Sequence, residues 1–148
     1  MDYSLYAPLY DAEYAGYRPE AAFFIKLAKR LKGPALELGC GTGRVLLELA
    51  EAGVEVDGLE LSQPMLDRLQ EKVDGLDPKV ADRIGLYKGD MSAFKIGRLY
   101  SLIYMPFREF MHLNSVADQL ECLHCCFEHL RPGGRVVINL YDVDLTLI

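Results

Sequence analysis

Hydrophobic positions along this chain repeat with two different periods, and their alternation is its main structural signal. Tyr3, Tyr6, Tyr10, Tyr14 and Tyr17 recur every three or four residues, which predicts one helical stripe packed on a core. Residues 19–31 predict a helix with Pro19 in its first turn, stopped by Gly33-Pro34. Short apolar runs at 36–38, 54–59, 84–87, 99–105 and 135–140 read as strands. Among them, residues 44–52 read as a helix ended by Gly53, and residues 64–73 as a helix capped by Ser62. Ser115 caps a third, with Asp118 three residues on; its apolar residues Val116, Leu120, Leu123, Phe127 and Leu130 step by four and three. Pro132-Gly133-Gly134 reads as the turn into the last strand. Strands alternating with helices imply right-handed crossovers, hence an α/β doubly wound, mainly parallel sheet of about five strands with helices on both faces.

Composition narrows this without changing it. The chain's 148 residues suit one domain, large enough to bury a core without disulfides. Its four cysteines follow no regular framework, which predicts reduced thiols and a cytoplasmic location. Met1-Asp2-Tyr3-Ser4 lacks the basic and apolar regions of a secretory signal, and no apolar run is long enough to predict a membrane span. A net charge of −6 argues against a nucleic-acid backbone as the main partner. Cys122, His124, Cys125, Cys126 and His129 contain one C-x-x-C pair and no second, so no metal is expected; the cysteines read as small residues facing the sheet.

The chemistry concentrates in Ala35-Leu36-Glu37-Leu38-Gly39-Cys40-Gly41-Thr42-Gly43-Arg44. A strand turns through three glycines into a helix, whose free N–H groups and positive dipole end face the turn. In parallel sheets, ligands lie outside the carboxyl ends of the strands. The ends at 39–43, 60–62, 90–91 and 105–107 are therefore expected to converge on one cleft. A dinucleotide turn prefers G-x-G-x-x-G, but Gly39, Gly41 and Gly43 give G-x-G-x-G. Glu37 is poor company for a pyrophosphate and good company for an ammonium group. Glu60, at the end of the second strand, is placed to accept hydrogen bonds from both hydroxyls of a ribose. Asp90 is placed to meet an adenine amino group, with Met91 against the ring. Together these fit adenosine joined to an amino acid, and they oppose a nicotinamide oxidoreductase.

From Ala35 to about Leu140 the chain resembles the class I S-adenosylmethionine-dependent methyltransferases, with their three-layer Rossmann-like fold. The motifs that carry the resemblance are Leu36-Glu37-Leu38-Gly39-Cys40-Gly41-Thr42-Gly43 and Val56-Asp57-Gly58-Leu59-Glu60-Leu61-Ser62 with Met65. Gly89-Asp90-Met91 and Leu130-Arg131-Pro132-Gly133-Gly134 follow in order. The resemblance implies a single S-adenosylmethionine-binding domain, with residues 1–33 as a helical cap and 34–148 as the core. It implies that Glu37, Gly39, Gly41 and Gly43 hold the methionine part of the cofactor and Glu60 the ribose. Leu61, Met65, Asp90 and Met91 would surround the adenine, Met105 would lie near the sulfonium, Arg18 would meet the cofactor carboxylate, and Tyr10 would close over the site. S-adenosylhomocysteine would be the product.

Methyl transfer from a sulfonium is governed by alignment, so no catalytic residue need be visible, and none is assigned. The acceptor is expected near Tyr104-Met105-Pro106-Phe107-Arg108-Glu109-Phe110-Met111-His112. Enzymes that methylate nucleobase amines carry a polar residue where Tyr104 stands, which points instead to a small-molecule acceptor. His112 is read as a structural histidine beneath the cleft, with a base as the alternative; Arg108 is read as a surface charge, with a substrate carboxylate as the alternative. The family fold continues into an antiparallel strand pair that is absent here. The fifth strand is thus expected to be an apolar edge, left by a fragment, paired with a second copy in a homodimer, or covered by residues 145–148. The alternative to a methyltransferase is a cofactor-binding module without transfer.

Overall fold

The computed structural model describes residues 3–16, 19–142 and 146, and the side chains of these from residue 6 onward. In chain order they form α1 (Tyr3–Glu13), α2 (Ala21–Leu31), β1 (Ala35–Leu38), α3 (Leu46–Glu51), β2 (Val56–Glu60), α4 (Gln63–Asp74) and α5 (Pro78–Ala81). There follow β3 (Ile84–Lys88), β4 (Tyr100–Met105), a 3-10 turn (Glu109–His112), α6 (Val116–Glu128) and β5 (Leu130–Ile138). All strand pairs are parallel in the order β3-β2-β1-β4-β5. The chain starts at β1 in the middle, builds outward to β3, then returns to β4 on the other side. That reversal beside β1 leaves a crevice at the strands' carboxyl ends.

β1 and β4 are buried along their whole length, as expected of parallel strands covered on both faces. On one face Phe24 and Ala28 of α2, Leu46 and Leu49 of α3, and Leu66 and Leu69 of α4 pack together. On the other, Leu36, Leu38, Ile103 and Met105 meet Phe94, Ile96 and the cysteines of α6. Each fully buried leucine contributes roughly 1.5–3 kcal/mol relative to an exposed one. The expected doubly wound α/β sheet is the one observed, with no antiparallel strand among the described residues.

Several local expectations change. The helix after the glycine turn begins at Leu46, because residues 44–45 are still in the turn. Ser62 stands at the N-cap of α4 but its side chain makes no capping bond, whereas Ser115 Oγ does accept the Asp118 N–H at 3.0 Å. Pro132-Gly133-Gly134 is a bulge within β5: Leu130 pairs with Tyr100 and Arg135 with Leu102, and the intervening residues loop out through Gly133 at φ +78°. The short helix α5, capped by Asp77, had no periodic signal to announce it.

The largest change concerns α6. Its stripe of large apolar residues faces outward: Val116, Leu120 and Phe127 are 71%, 61% and 76% exposed. Cys122, Cys125 and Cys126 face the sheet instead, as read from the sequence. His129 is committed to structure: its Nε2 accepts the Ile96 N–H at 2.9 Å, which leaves Nδ1 to donate to the Cys125 carbonyl at 2.7 Å. β5 lies at an edge of the sheet. Of its expected cover, residues 145, 147 and 148 lie outside the described residues. No helix among the described residues is long and apolar enough to cross a membrane.

Candidate functional site

A cavity of about 1170 Å³ opens at the carboxyl ends of β1, β2, β3 and β4. Gly39 and Gly41, Glu60 to Ser62, Asp90 and Met91, and Pro106 and Phe107 all reach it, so the four strand ends meet as expected. The parallel register brings them together: Leu38 sits beside Leu59, and Glu37 between Gly58 and Tyr104.

Glu60 is the best-fixed group in this cavity. Its Oε2 accepts the Gly41 N–H at 2.9 Å and its Oε1 the Ser62 N–H at 2.8 Å. Both carboxylate oxygens are thus oriented by main chain, and each keeps a lone pair. Beside it Ser62 Oγ is buried with no hydrogen-bond partner. Leu61, Met65 and Met91 give the surrounding wall apolar surface. Asp90 also borders the cavity, with Oδ1 accepting the Ser92 N–H and hydroxyl at 2.8 and 2.7 Å.

Glu37 borders the cavity from below and is only 2% exposed. The Tyr104 hydroxyl donates to its Oε2 at 2.6 Å. Burial pushes its pKa up to about 8, against the hydrogen bond from Tyr104 and the charge of Arg44.

The three glycines divide their labour. At Gly41, with φ +52°, an added Cβ would meet nothing within 4 Å. At Gly39, with φ +70°, it would meet the Glu109 carboxylate, 2.7 Å from Oε2. Gly43, expected to hold cofactor, is instead a packing glycine: at φ +83° its Cβ would lie 2.3 Å from Leu69 Cδ1 of α4. Met105 is likewise placed away from the cavity. By the two-residue alternation of β4 it shares a face with Ile103 and is buried in the core, and Pro106 takes the wall. Arg18 lies outside the described residues.

Tyr17 and the Tyr3 side chain lie outside the described residues, and the rest of the tyrosine stripe faces the cavity rather than the core. Tyr6, Tyr10 and Tyr14 line it, with ring centroids 5.9 and 4.7 Å apart in sequence, and Tyr14 meets Phe107 edge-on at 5.1 Å. Burial pushes Tyr10 up to about 12, opposed by Arg44. Arg44 lies over the Phe107 ring at 4.8 Å and pairs with Glu20.

Sequence reasoning missed the device that holds α1 in place. Asp11 accepts from Thr42 Oγ1 and Lys72 Nζ, each at 2.6 Å, and from Arg68 Nε at 2.9 Å. Lys72 also donates to the Thr42 carbonyl at 2.8 Å. One carboxylate therefore ties α1 to the glycine turn and to α4, and those cations hold it below the usual carboxylate range despite burial. Nothing short of the fold relates residues 11, 42, 68 and 72. Glu109, expected only as part of the acceptor segment, lies against Gly39 of the glycine turn. His112 sits exposed on the cavity rim, not beneath it, and Arg108 lies over Phe107 and Tyr141 at 5.0 and 5.8 Å.

Residues 35–134 match the model of a methyltransferase domain. The chain is 34% identical, over 90% of its length, to the dTDP-3-amino-3,6-dideoxy-alpha-D-glucopyranose N,N-dimethyltransferase of Streptomyces fradiae, and covers 52% of that protein. It resembles the solved glycopeptide N-methyltransferase MtfA in complex with S-adenosyl-L-methionine, with a TM-score of 0.75 and 32% identity, over 80% of this chain and 52% of that one. DesVI of Streptomyces venezuelae gives a TM-score of 0.77 at 27% identity, over 92% of this chain and 57% of that one. The chain spans about half the length of the curated relatives it matches.

Proposed function

The chain belongs to the methyltransferase-domain family, whose members use S-adenosylmethionine, and on that premise we propose that it transfers a methyl group from this cofactor to an amine nitrogen of a small-molecule acceptor. An amino sugar or a glycopeptide amine is the acceptor class that its relatives support. The observation that carries the reading is Glu60, whose two oxygens are held by the N–H groups of Gly41 and Ser62 and directed at the cavity.

The lining of this cavity suits the cofactor. Glu60 binds the ribose hydroxyls, and its charge rejects a phosphorylated ribose. The partnerless Ser62 Oγ gains a polar partner from the same ligand. Leu61, Met65 and Met91 pack on the adenine, and Asp90 accepts from its amino group. Gly39 and Gly41 let the methionine part lie against the main chain. The rings of Tyr10 and Tyr14 attract its positive charge. Of the expected 1–33 cap, the segment from Tyr6 to Tyr14 borders the cavity and shields it from water, while α2 packs on the sheet.

When bound, the cofactor would supply a methyl group on a sulfonium to the lone pair of a neutral amine, leaving a neutral thioether and an alkylated ammonium that would give its proton to water. The chain's part is placement. The rigid ends of β1, β2 and β4 fix one reactant, while α1 and the 106–112 segment enclose the other. Such positioning is worth roughly 7–11 kcal/mol of the barrier.

Titration calorimetry of the purified chain with S-adenosylmethionine, S-adenosylhomocysteine and NAD tests cofactor choice, with Glu60→Ala alongside. Binding of the two sulfur ligands alone, lost in the variant, supports the reading; binding of NAD overturns it. Methyl transfer is then followed with a labelled cofactor and a panel of amino sugars. Binding without transfer to any amine would reduce the chain to a cofactor-binding module.

A further inference from the structure

The segment after β4 is strained in a way that serves one side chain. Phe107 at φ +54° and Arg108 at φ +71° are consecutive non-glycine residues in the left-handed region. Such residues persist only where the surrounding structure fixes them, and they gather at functional sites. Their effect is to carry Glu109 back over the glycine turn. There its carboxylate rests on the main chain of Gly39, within 2.7–3.0 Å of the place a Cβ would occupy.

The surroundings say what Glu109 is there to meet. Glu60 faces it and Glu37 lies beneath the same turn, so three carboxylates approach one stretch of cavity. Among the described residues the cation that acts on it is Arg44, which already pairs with Glu20, while Arg108 stacks on Phe107 and Tyr141. Burial and the charge of Glu60, opposed by Arg44, push Glu109 up to about 8. A cavity arranged this way is short of positive charge and receives it from a ligand. Simple anion recognition is excluded by the same arrangement, and a purely packing role would not need a carboxylate on a glycine.

We propose that Glu109 is a charge-reading residue, whose carboxylate lies against the sulfonium-bearing part of S-adenosylmethionine and makes the site favour the charged methyl donor over its neutral product. The inference rests on the cofactor reading given above and extends it to discrimination. S-adenosylmethionine and S-adenosylhomocysteine share adenine, ribose, carboxylate and ammonium. They differ in the methyl group and the charge on sulfur. A group that touches only the ammonium would treat them alike, whereas Glu109 separates them and thereby helps product leave.

Calorimetric affinities of the wild-type chain, Glu109→Gln and Glu109→Asp for both ligands, and for sinefungin, test this at pH 8.5. Sinefungin carries an amine in place of the methylated sulfur, so it supplies positive charge without a sulfonium. In Glu109→Gln, binding of S-adenosylmethionine and sinefungin is expected to weaken about tenfold while that of S-adenosylhomocysteine stays within about twofold. Glu109→Asp, which keeps the charge and shortens its reach, is expected to fall between. Equal weakening of all three ligands, or tighter binding of all three once the carboxylate is gone, overturns the proposal. A wild-type chain that binds neither sulfur ligand overturns the cofactor reading and this inference together. One that binds both normally with an unselective Glu109→Gln effect overturns this inference alone. Thermal midpoints of the ligand-free variants report folding separately.

Discussion

The carboxylate of Glu60, at the end of β2, accepts the backbone N–H of Gly41, in the turn after β1, at 2.9 Å. This bond joins two adjacent strand ends through an atom that is also offered to the cavity. It makes Glu60 a part of the turn and, on the proposed reading, the group that meets the ribose. Glu60→Ala is therefore expected to lower affinity for S-adenosylmethionine about 10- to 100-fold, from the loss of charge-assisted hydrogen bonds of about 1.5–3 kcal/mol each. Calorimetry measures the affinity, and a circular dichroism spectrum like that of wild type shows that the sheet is kept.

Gly41 and Gly43 are expected to separate binding from stability. Gly41→Ala places a methyl group in open cavity space, at φ +52°, and is expected to weaken cofactor binding at a folding cost of about 1 kcal/mol. Gly43→Ala places it 2.3 Å from Leu69 Cδ1 and is expected to cost about 1–3 kcal/mol through overpacking and strain. Urea denaturation paired with cofactor titration distinguishes them, and a reversed order of the two effects would refute the division.

Stability should fall with rising pH between the free and folded values of Glu37. The unfolded carboxyl titrates near 4.5, and the folded one is held up to about 8. Between these the unfolded chain has lost a proton that the folded chain keeps, so the contribution is full below about 4.5 and is lost as pH rises through about 8. Glu109 acts in the same direction and window. Asp11, held below its ordinary range, has the opposite sign and matters only in acid, where its stabilisation is lost. Urea midpoints from pH 5 to 9 are expected to decline in wild type, less steeply in Glu37→Gln, and least in Glu37→Gln combined with Glu109→Gln. Tyr104→Phe, which leaves the buried carboxyl a partner short, is expected to cost about 1–3 kcal/mol at pH 6.

Asp11→Asn removes the charge that binds Lys72 and Arg68 while keeping an acceptor for Thr42. Release of α1 is expected to raise amide exchange across residues 6–14 and to weaken cofactor binding severalfold, because Tyr6, Tyr10 and Tyr14 leave the cavity with it. Hydrogen exchange by mass spectrometry, with β1 and β4 as internal controls, reads this. Unchanged exchange in 6–14 would show that aromatic packing alone holds the helix.

The sequence by itself determined the order and type of nearly every element, because strand and helix impose different periods on apolar residues and glycines mark the turns between them. It also placed Glu37, the 39–43 turn, Glu60 and Asp90 where parallel strands stop, and these strand ends border one cavity. What it left open was direction and distance. The apolar stripe of α6 has the period of a buried face, yet the small cysteines face the sheet; only packing decides which side of a helix approaches a flat surface. Gly43 and Gly41 are equivalent in the motif and differ because α4 crosses one and not the other. Met105 lost its place at the site to the alternation of β4. Asp11 found Thr42, Arg68 and Lys72 through the docking of α1, and Glu109 reached Gly39 through a strained loop whose course no local preference encodes. Local periodicity fixes what each segment is; long-range packing fixes which atoms meet, and the cavity is made of those meetings.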